Sequence, residues 1–405
     1  MAQGPKQQFS AISFIFLTIF IDRFGESLIF PLLPFLVEPF GFDAFSLGLL
    51  VSSFAAAQFF AAPILGSLSD HYGRRPILLI CVFGTGVANL IFAGATRGAF
   101  LFGARALDGA TGGVASTAQA YISDIAAPQD RAKLFGITGA AFGLGFIFGP
   151  ALGGVLATIS LTLPVFVAAG VAFLNCIFGY FTLPESLPKD QRRTLKLQDF
   201  NPFQSLTYLW GGRGIRSLLG AFFSFSLAFS AFTSVYVLFL NARFDWGPGE
   251  AAIVFVIIGV FSTLVQGGLI RILLRYVKEM QLCLYGFLCL GLGLTFVLIT
   301  PTVHPWPYIG LYSSAIAIAF GFGLVLPALR ALICNQVSDQ EQGQVLGSSQ
   351  ALQSIAAVLG PTWAGWTFDN VNPSAPFSQS ILLFGLAAFL ILFNRRYYLA
   401  ASKTP

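Results

Sequence analysis

Charge is what this chain has least of. Its 405 residues include 22 Lys plus Arg and 17 Asp plus Glu, 10% of the total, where a soluble globular chain carries about 25%. So few ionised side chains exclude a water-soluble fold. The 56% apolar content excludes disorder, which needs low hydrophobicity and high net charge. Histidine is nearly missing: His71 and His304 both sit in polar breaks, and neither stands with a nucleophile inside an apolar run, so an intramembrane enzyme or a sensor is not expected. The five cysteines (Cys81, Cys176, Cys283, Cys289, Cys334) lie in or at the ends of apolar runs, without the paired spacing of a metal site or disulfide framework. They read as small packing residues, and neither metal nor cofactor is expected. The net charge of +5 is not gathered on an exposed domain, so nucleic acid is not an expected partner.

What is present is apolar sequence in long runs separated by short polar breaks. A membrane-spanning helix needs about 20 such residues to cross a core of about 30 Å. Outer-membrane strands alternate instead, and no alternation runs through 231–240 or 380–394. Residues 1–10 carry one charge and lead into a long run with no small-residue cleavage site, so a removed signal peptide is not expected. Runs near 11–37, 45–68, 77–96, 98–122, 132–157, 162–183, 217–241, 250–273, 281–300, 308–333, 345–368 and 378–394 predict an all-α polytopic membrane protein with twelve transmembrane helices. The longest polar break follows the sixth run. It divides the chain into a six-helix bundle at 1–183, a cytoplasmic linker at 184–216 and a second six-helix bundle at 217–405.

Basic connections stay cytoplasmic. With the N-terminus inside, 17 of the 22 basic residues fall on the inner side, and only Arg97 and Arg243 fall outside; both termini are therefore expected in the cytoplasm. The halves repeat one another. Gly149-Pro150 recurs as Gly360-Pro361 at an offset of 211, shared by Gly136 and Gly347, by Gly154 and Gly365, and by Asp130 and Glu341. Several matches at one offset imply internal duplication and a pseudo-symmetric pair of bundles.

The break after the second span reads Gly66-Ser-Leu-Ser-Asp70-His71-Tyr-Gly73-Arg74-Arg75-Pro76. It closely resembles the G-x-x-x-D-[RK]-x-G-[RK]-[RK] signature of the major facilitator superfamily, in the same place between spans 2 and 3. Glycines permit a tight turn, and an acidic side chain can sit against the positive start of a helix. A charged turn that only sets topology is the plainer alternative. The resemblance implies that Asp70 helps lock the cytoplasmic ends of the halves by meeting the start of span 11, which makes Gly66, Asp70, Gly73, Arg74 and Arg75 a gate. His71 stands where the family has Arg or Lys, which would weaken the gate or make it sensitive to pH.

Span 4 holds Arg105-Ala-Leu-Asp108-Gly109, similar to the family's R-x-x-x-G pattern. Span 5 holds Gly145, Gly149, Pro150, Gly153 and Gly154, resembling the family's antiporter motif. Gly145, Gly149 and Gly153 share one helix face that admits another backbone, placed by the resemblance where the halves meet. Asp22 with Pro31-Leu-Leu-Pro34, Ala120-Tyr-Ile-Ser-Asp124 and Pro327-Ala-Leu-Arg-Ala-Leu are similar to the branch of tetracycline and multidrug efflux pumps. The second half departs from the pattern: its loop Arg271 to Glu279 lacks the Asp and the second Gly, and spans 7 to 12 have no acid well inside.

A charged side chain near a helix centre costs about 2.5–3.5 kcal/mol on insertion scales, so it persists where it faces a cavity or a partner. Asp22, Arg23, Glu26, Arg105 and Asp108 are such residues, all in the first half. At about 1.5 Å per residue, Asp22, Asp108, Glu26 and Arg105 lie roughly 16, 20, 22 and 24 Å deep, in one layer. The resemblance puts spans 1 and 4 at the central cavity. A carboxylate there could carry the coupling proton, or Glu26 or Asp108 could be counter-ion to a cationic substrate, or one carboxylate could serve both. Alternatively Arg23 and Arg105 against the three acids form a static salt-bridge cluster. Arg23, next to Asp22, is expected to point away from it, and Arg330 to snorkel at the end of span 10. Gln58, Gln119, Gln266 and Asn175 are candidates for substrate contact or for hydrogen bonds between helices.

The implied protein is a monomeric major facilitator transporter in a prokaryotic inner membrane. It exports lipophilic or cationic small molecules in exchange for protons and draws on the proton gradient alone. A metabolite importer or uniporter of the same fold is the alternative; the glycine motif of span 5 speaks against it. The 45 phenylalanines suit a lipophilic cargo, and the bilayer is the other partner.

Overall fold

A computed structural model describes residues 5–126, 131–204, 206, 213–338 and 341–395; Asp130, Arg396 and Lys403 lie outside them. The chain is helical throughout, with no strand among the described residues. The helices are α1 (Pro5–Ile29), α2 (Leu33–Val37), α3 (Ala44–Tyr72), α4 (Arg74–Ala93), α5 (Gly98–Ala110), α6 (Val114–Ile125), α7 (Arg131–Ala157), α8 (Leu163–Thr182), α9 (Arg213–Phe244), α10 (Pro248–Leu264), α11 (Ile270–Leu273), α12 (Glu279–Ile299), α13 (Trp306–Cys334), α14 (Gln342–Asn370) and α15 (Ala375–Phe393). Among the described residues nine helical stretches are long and apolar enough to cross a membrane. The long stretches left out of that set are α1, α5 with α6, and α14. α1 is left out for its charges, Asp22, Arg23 and Glu26, and α14 because it is rich in Gln and Ser, while α5 and α6 are each too short because the run breaks between them.

Three runs read as continuous are interrupted. The fourth breaks at Thr111–Gly113 between α5 and α6, because adjacent Gly112 and Gly113 have no side chains to hold the helix and the chain turns through Gly113 N–H to Thr111 O at 2.8 Å. The first leaves α-geometry at Ile29 for a 3-10 turn, Phe30–Leu32, around Pro31. The eighth widens to a π-turn over Val265–Leu269, around Gly267 and Gly268.

Contacts divide the chain into two compact units. The first takes described residues within Met1–Gly41, Ser53–Pro202 and Pro248–Val256; the second takes those within Phe42–Ser52, Phe203–Gly247 and Ile257–Pro405. The opening turns of α3 thus belong with the second unit, and those of α10 with the first.

In the first unit α1 packs along α7 and α8, and α4 along α8 and α5. Phe14, Ile15, Leu78, Cys81, Ala118 and Tyr121 form a core with almost no exposed surface. The Gly145, Gly149 and Gly153 face of α7 lies on α1. A Cβ at Gly145 would stand 2.9 Å from the Phe20 oxygen, and one at Gly153 2.6 Å from the Leu28 oxygen. The next residue, Gly154, faces Ala252 at the start of α10.

The second unit packs α9 against α14 and α15, and α12 against α13. Phenylalanines fill it: Phe229 stacks on Phe322 with centroids 4.5 Å apart, and Phe225 touches Phe287 and Phe384. Gly360 of α14 lies against the α9 backbone at Ala231, as Gly149 of α7 lies against α1 at Leu28. Gly365 meets Ala44 at the start of α3, as Gly154 meets Ala252. The repeated glycines thus make equivalent contacts in each unit. Asp43 and Asp369 cap α3: Ser46 N–H donates to Asp43 at 2.8 Å and Phe45 N–H to Asp369 at 2.8 Å. Large apolar side chains such as Phe181, Leu382 and Leu174 stand fully outward. A surface of this kind is stable only against lipid.

Candidate functional site

The charged side chains of α1 and α5 line one narrow cleft in the first unit, with Asp22, Arg23, Glu26, Arg105 and Asp108 in its wall. Phe54 and Gln58 of α3 and Thr85 and Asn89 of α4 complete it.

The pairing differs from expectation. Arg23 turns back onto its own helix, with Nε 2.9 Å and Nη2 2.5 Å from Asp22 and Nη1 on Glu26. Adjacent Cβ atoms diverge, but the long arginine stem bends far enough to cross that angle. Its guanidinium also lies over the Phe142 ring at 5.2 Å. Arg105 pairs with Asp108 of the same helix at 3.4 Å and lies between the rings of Phe92 and Phe54, at 5.0 and 5.8 Å. Among the described residues no ion pair joins α1 to α5: the two arginines meet the three acids in two separate groups, each within one helix. The side chains of Asp22, Arg105 and Asp108 are no more than 16% exposed, whereas Glu26 is 38% exposed. Thr85 interacts with Asp108 from α4.

The break in the fourth run serves this site. It frees the Gly112 carbonyl, which accepts the Gln58 amide at 3.1 Å. Gln58 thus lines the cleft and also bonds between helices. Asn175 is likewise interhelical, donating to Thr18 at 3.1 Å. Gln119 and Gln266 are exposed and stand outside the cleft wall. Arg330 does not simply snorkel: its Nη2 is 3.4 Å from Gln353 of α14.

The loop after α3 forms a second polar centre. Asp70 pairs with Arg74, which also reaches Asp124 at 3.0 Å and the Ser69 hydroxyl at 2.7 Å. Gly73 adopts φ 111°, a conformation open to glycine. Gly66 is one turn earlier in α3, where its carbonyl accepts the Ser69 hydroxyl at 2.8 Å. Glu185, which sequence reasoning missed, caps α4: its carboxylate accepts the N–H of Arg74 at 2.8 Å and of Arg75 at 3.3 Å. The Arg75 guanidinium donates to the Tyr180 carbonyl at 2.6 Å. His71 Nδ1 lies 2.8 Å from the Arg193 carbonyl, and Arg193 N–H donates to the Asp70 carbonyl at 3.1 Å. The segment after α8 is thereby tied to the motif loop. The order Leu183-Pro184-Glu185 just past an apolar run was the available signal.

Comparison with known proteins agrees with this architecture. The Major Facilitator Superfamily profile matches residues 15–361 and 284–404. The class C tetracycline resistance protein of Escherichia coli is 34% identical over 355 residues, 87% of this chain and 88% of the relative. Multidrug resistance protein 1 of Bacillus subtilis (strain 168) is 29% identical over 380 residues, 93% of this chain and 94% of the relative. Among solved structures, the human organic anion transporter MFSD10 superposes with a TM-score of 0.71 at 24% identity, covering 96% of this chain and 100% of the other. By sequence and fold together, the chain belongs to the Major Facilitator Superfamily of membrane transporters and is similar to its tetracycline and multidrug resistance proteins.

Proposed function

We propose that the chain is a proton-coupled antiporter that exports lipophilic or cationic small molecules by alternating access. In this reading twelve spans form two six-helix bundles, 1–183 and 217–405, joined by the linker 184–216. The transporter works as a monomer in a prokaryotic inner membrane with both termini in the cytoplasm. The observation that carries the proposal is the cleft itself. Asp22, Glu26 and Asp108 face one space, outnumber Arg23 and Arg105, and are paired only within their own helices. Three acids against two bases leave one carboxylate in excess, available to a proton. Glu26, the most open of the three, suits a cationic cargo, while Asp22 and Asp108 suit the proton. A carboxylate that holds either proton or cargo couples the two fluxes, since both cannot occupy it together. Asp70, Arg74 and Arg75, held by Gly66 and Gly73 and by Glu185, act as the cytoplasmic gate; Gly145, Gly149, Pro150, Gly153 and Gly154 keep α1 close on α7 as the helices move.

Everted membrane vesicles with an imposed proton gradient test the proposal, with tetracycline and ethidium as probes. Tetracycline is the natural first probe, given the relatives' names. Gradient-driven uptake should be accompanied by proton release. The reading fails if neither probe moves protons and Asp22→Asn, Glu26→Gln and Asp108→Asn each leave transport unchanged.

A further inference from the structure

Asn89 is the one polar residue of the cleft wall that the pairing above does not account for. It lies on α4 one turn beyond Thr85 and is 5% exposed. Its carboxamide makes no hydrogen bond among the described residues. Its polar neighbours are engaged: Asn175 with Thr18, Gln58 with Gly112, Asp22 with Arg23. Asn89 lines the cleft, and a polar group there draws its partners from that space.

A second, mostly apolar pocket with room for about one water adjoins the cleft, lined by Thr18, Asp22, Thr85, Asn89 and Asn175 among α1, α4, α6 and α8. Asp22, Gly25, Thr85 and Asn89 line both cavities. A cavity holds ordered water when it has room for one and offers it two to four polar partners; the cleft does, where Asn89 stands with Asp22, Thr85 and Asp108. A carboxamide has two donor hydrogens and an accepting oxygen, so Asn89 can fix a water that also reaches a carboxylate. Asp22 and Asp108 are on different helices, with no direct bond between them. A proton passing from one to the other needs such a bridge.

We propose that Asn89 anchors water between Asp22 on α1 and Asp108 on α5, making the part of the cleft that these three line a proton-transfer site separate from its more exposed, cargo-binding side at Glu26. This deepens the antiport reading and rests on it. In the transfer, water accepts the proton of the Asp108 carboxyl group while giving one of its own to Asp22. The water is regenerated, and the negative charge moves from Asp22 to Asp108. The charged groups facing this route are Asp22, Arg23 and Glu26 from α1 and Arg105 and Asp108 from α5. The lining residues of α3, α4, α6 and α8 are all uncharged. Asn89 is a positioning residue here.

Infrared difference spectroscopy on the full chain in lipid bilayers, between acidic and alkaline buffer, tests the proposal without any substrate. Asp22→Asn and Asp108→Asn identify the carboxylic C=O bands by their loss. Asn89→Leu should move the surviving bands to higher frequency, since a hydrogen bond is lost, and should slow their response to heavy water. Asn89→Ser, whose hydroxyl can still hold a water, should restore both. Bands in Asn89→Leu that match the wild type in frequency and in exchange overturn the proposal. So does a wild-type protein with no band assignable to Asp22 or Asp108, or one whose bands resist heavy water. The wild-type measurement decides the matter even if Asn89→Leu does not fold. No cargo is involved, so failure here is distinct from failure of the vesicle assay.

Discussion

At the scale of single residues, the site works by leaving each arginine committed to acids of its own helix. Asp108 has one ionic partner, Arg105 at 3.4 Å, beside its hydrogen bond with Thr85. Arg105→Ala leaves a buried carboxylate unpaired and should destabilise the protein by about 3–5 kcal/mol, visible as a large drop in melting temperature in detergent. Arg105→Lys keeps the charge but gives up the planar stacking between Phe92 and Phe54, so its melting temperature should fall between those of the wild type and the alanine variant. Asp108→Asn should tolerate folding yet cut gradient-driven transport about tenfold or more, equivalent to about 1.4 kcal/mol, in the same vesicles that report wild-type flux. The five charged residues could be found in the sequence because an ionised group in an apolar run is costly and therefore conspicuous. Their pairing could not, because the reach of an arginine stem depends on rotamers that spacing does not specify. Asn89 escaped notice for a related reason: one amide among apolar neighbours looks like any other until its lack of partners is visible.

At the scale of elements, α7 and the α5–α6 break carry the architecture of the site. Gly149 and Gly153 sit where a methyl group would meet the α1 backbone, while Gly139 has nothing within 4 Å of a Cβ. Gly153→Ala should therefore cost about 1–3 kcal/mol through overpacking, and Gly139→Ala should be neutral or stabilising by up to about 1 kcal/mol. Thermal unfolding of the two variants side by side separates a packing role from a generic dislike of glycine. The four-residue spacing of the glycines was visible in the chain, and so was their suitability for close approach. Which helix approaches was not, since spacing defines a face and leaves its neighbour open. The Gly112-Gly113 pair was present in the sequence too, but helices tolerate glycine in lipid when freed carbonyls find partners, and the partner here is Gln58 from a helix far away in the chain.

At the scale of the whole molecule, the two units repeat one set of contacts, Gly149 with Gly360 and Gly154 with Gly365. The start of α3 is fastened within the second unit by Asp369, whose carboxylate accepts the N–H of Ala44 and Phe45. Asp369→Ala should remove about 0.5–2 kcal/mol of capping stability, read as a lower melting temperature. Termini in the cytoplasm predict that a reporter fused after the last residue is protected from externally added protease in intact cells and cut in everted vesicles. The sequence alone was sufficient for the membrane setting, the helical class, the repeat and the identity of the charged layer. Each of these follows from the cost of placing polar groups in hydrocarbon, a cost paid residue by residue and so written in composition and period. Only the tertiary structure decided that the ion pairs of the cleft stay within helices, that α7 leans on α1, that Glu185 caps α4 and that Asn89 lines the charged cleft. Those outcomes depend on which surfaces meet, and distances between residues remote in the chain are set by the packing of the whole.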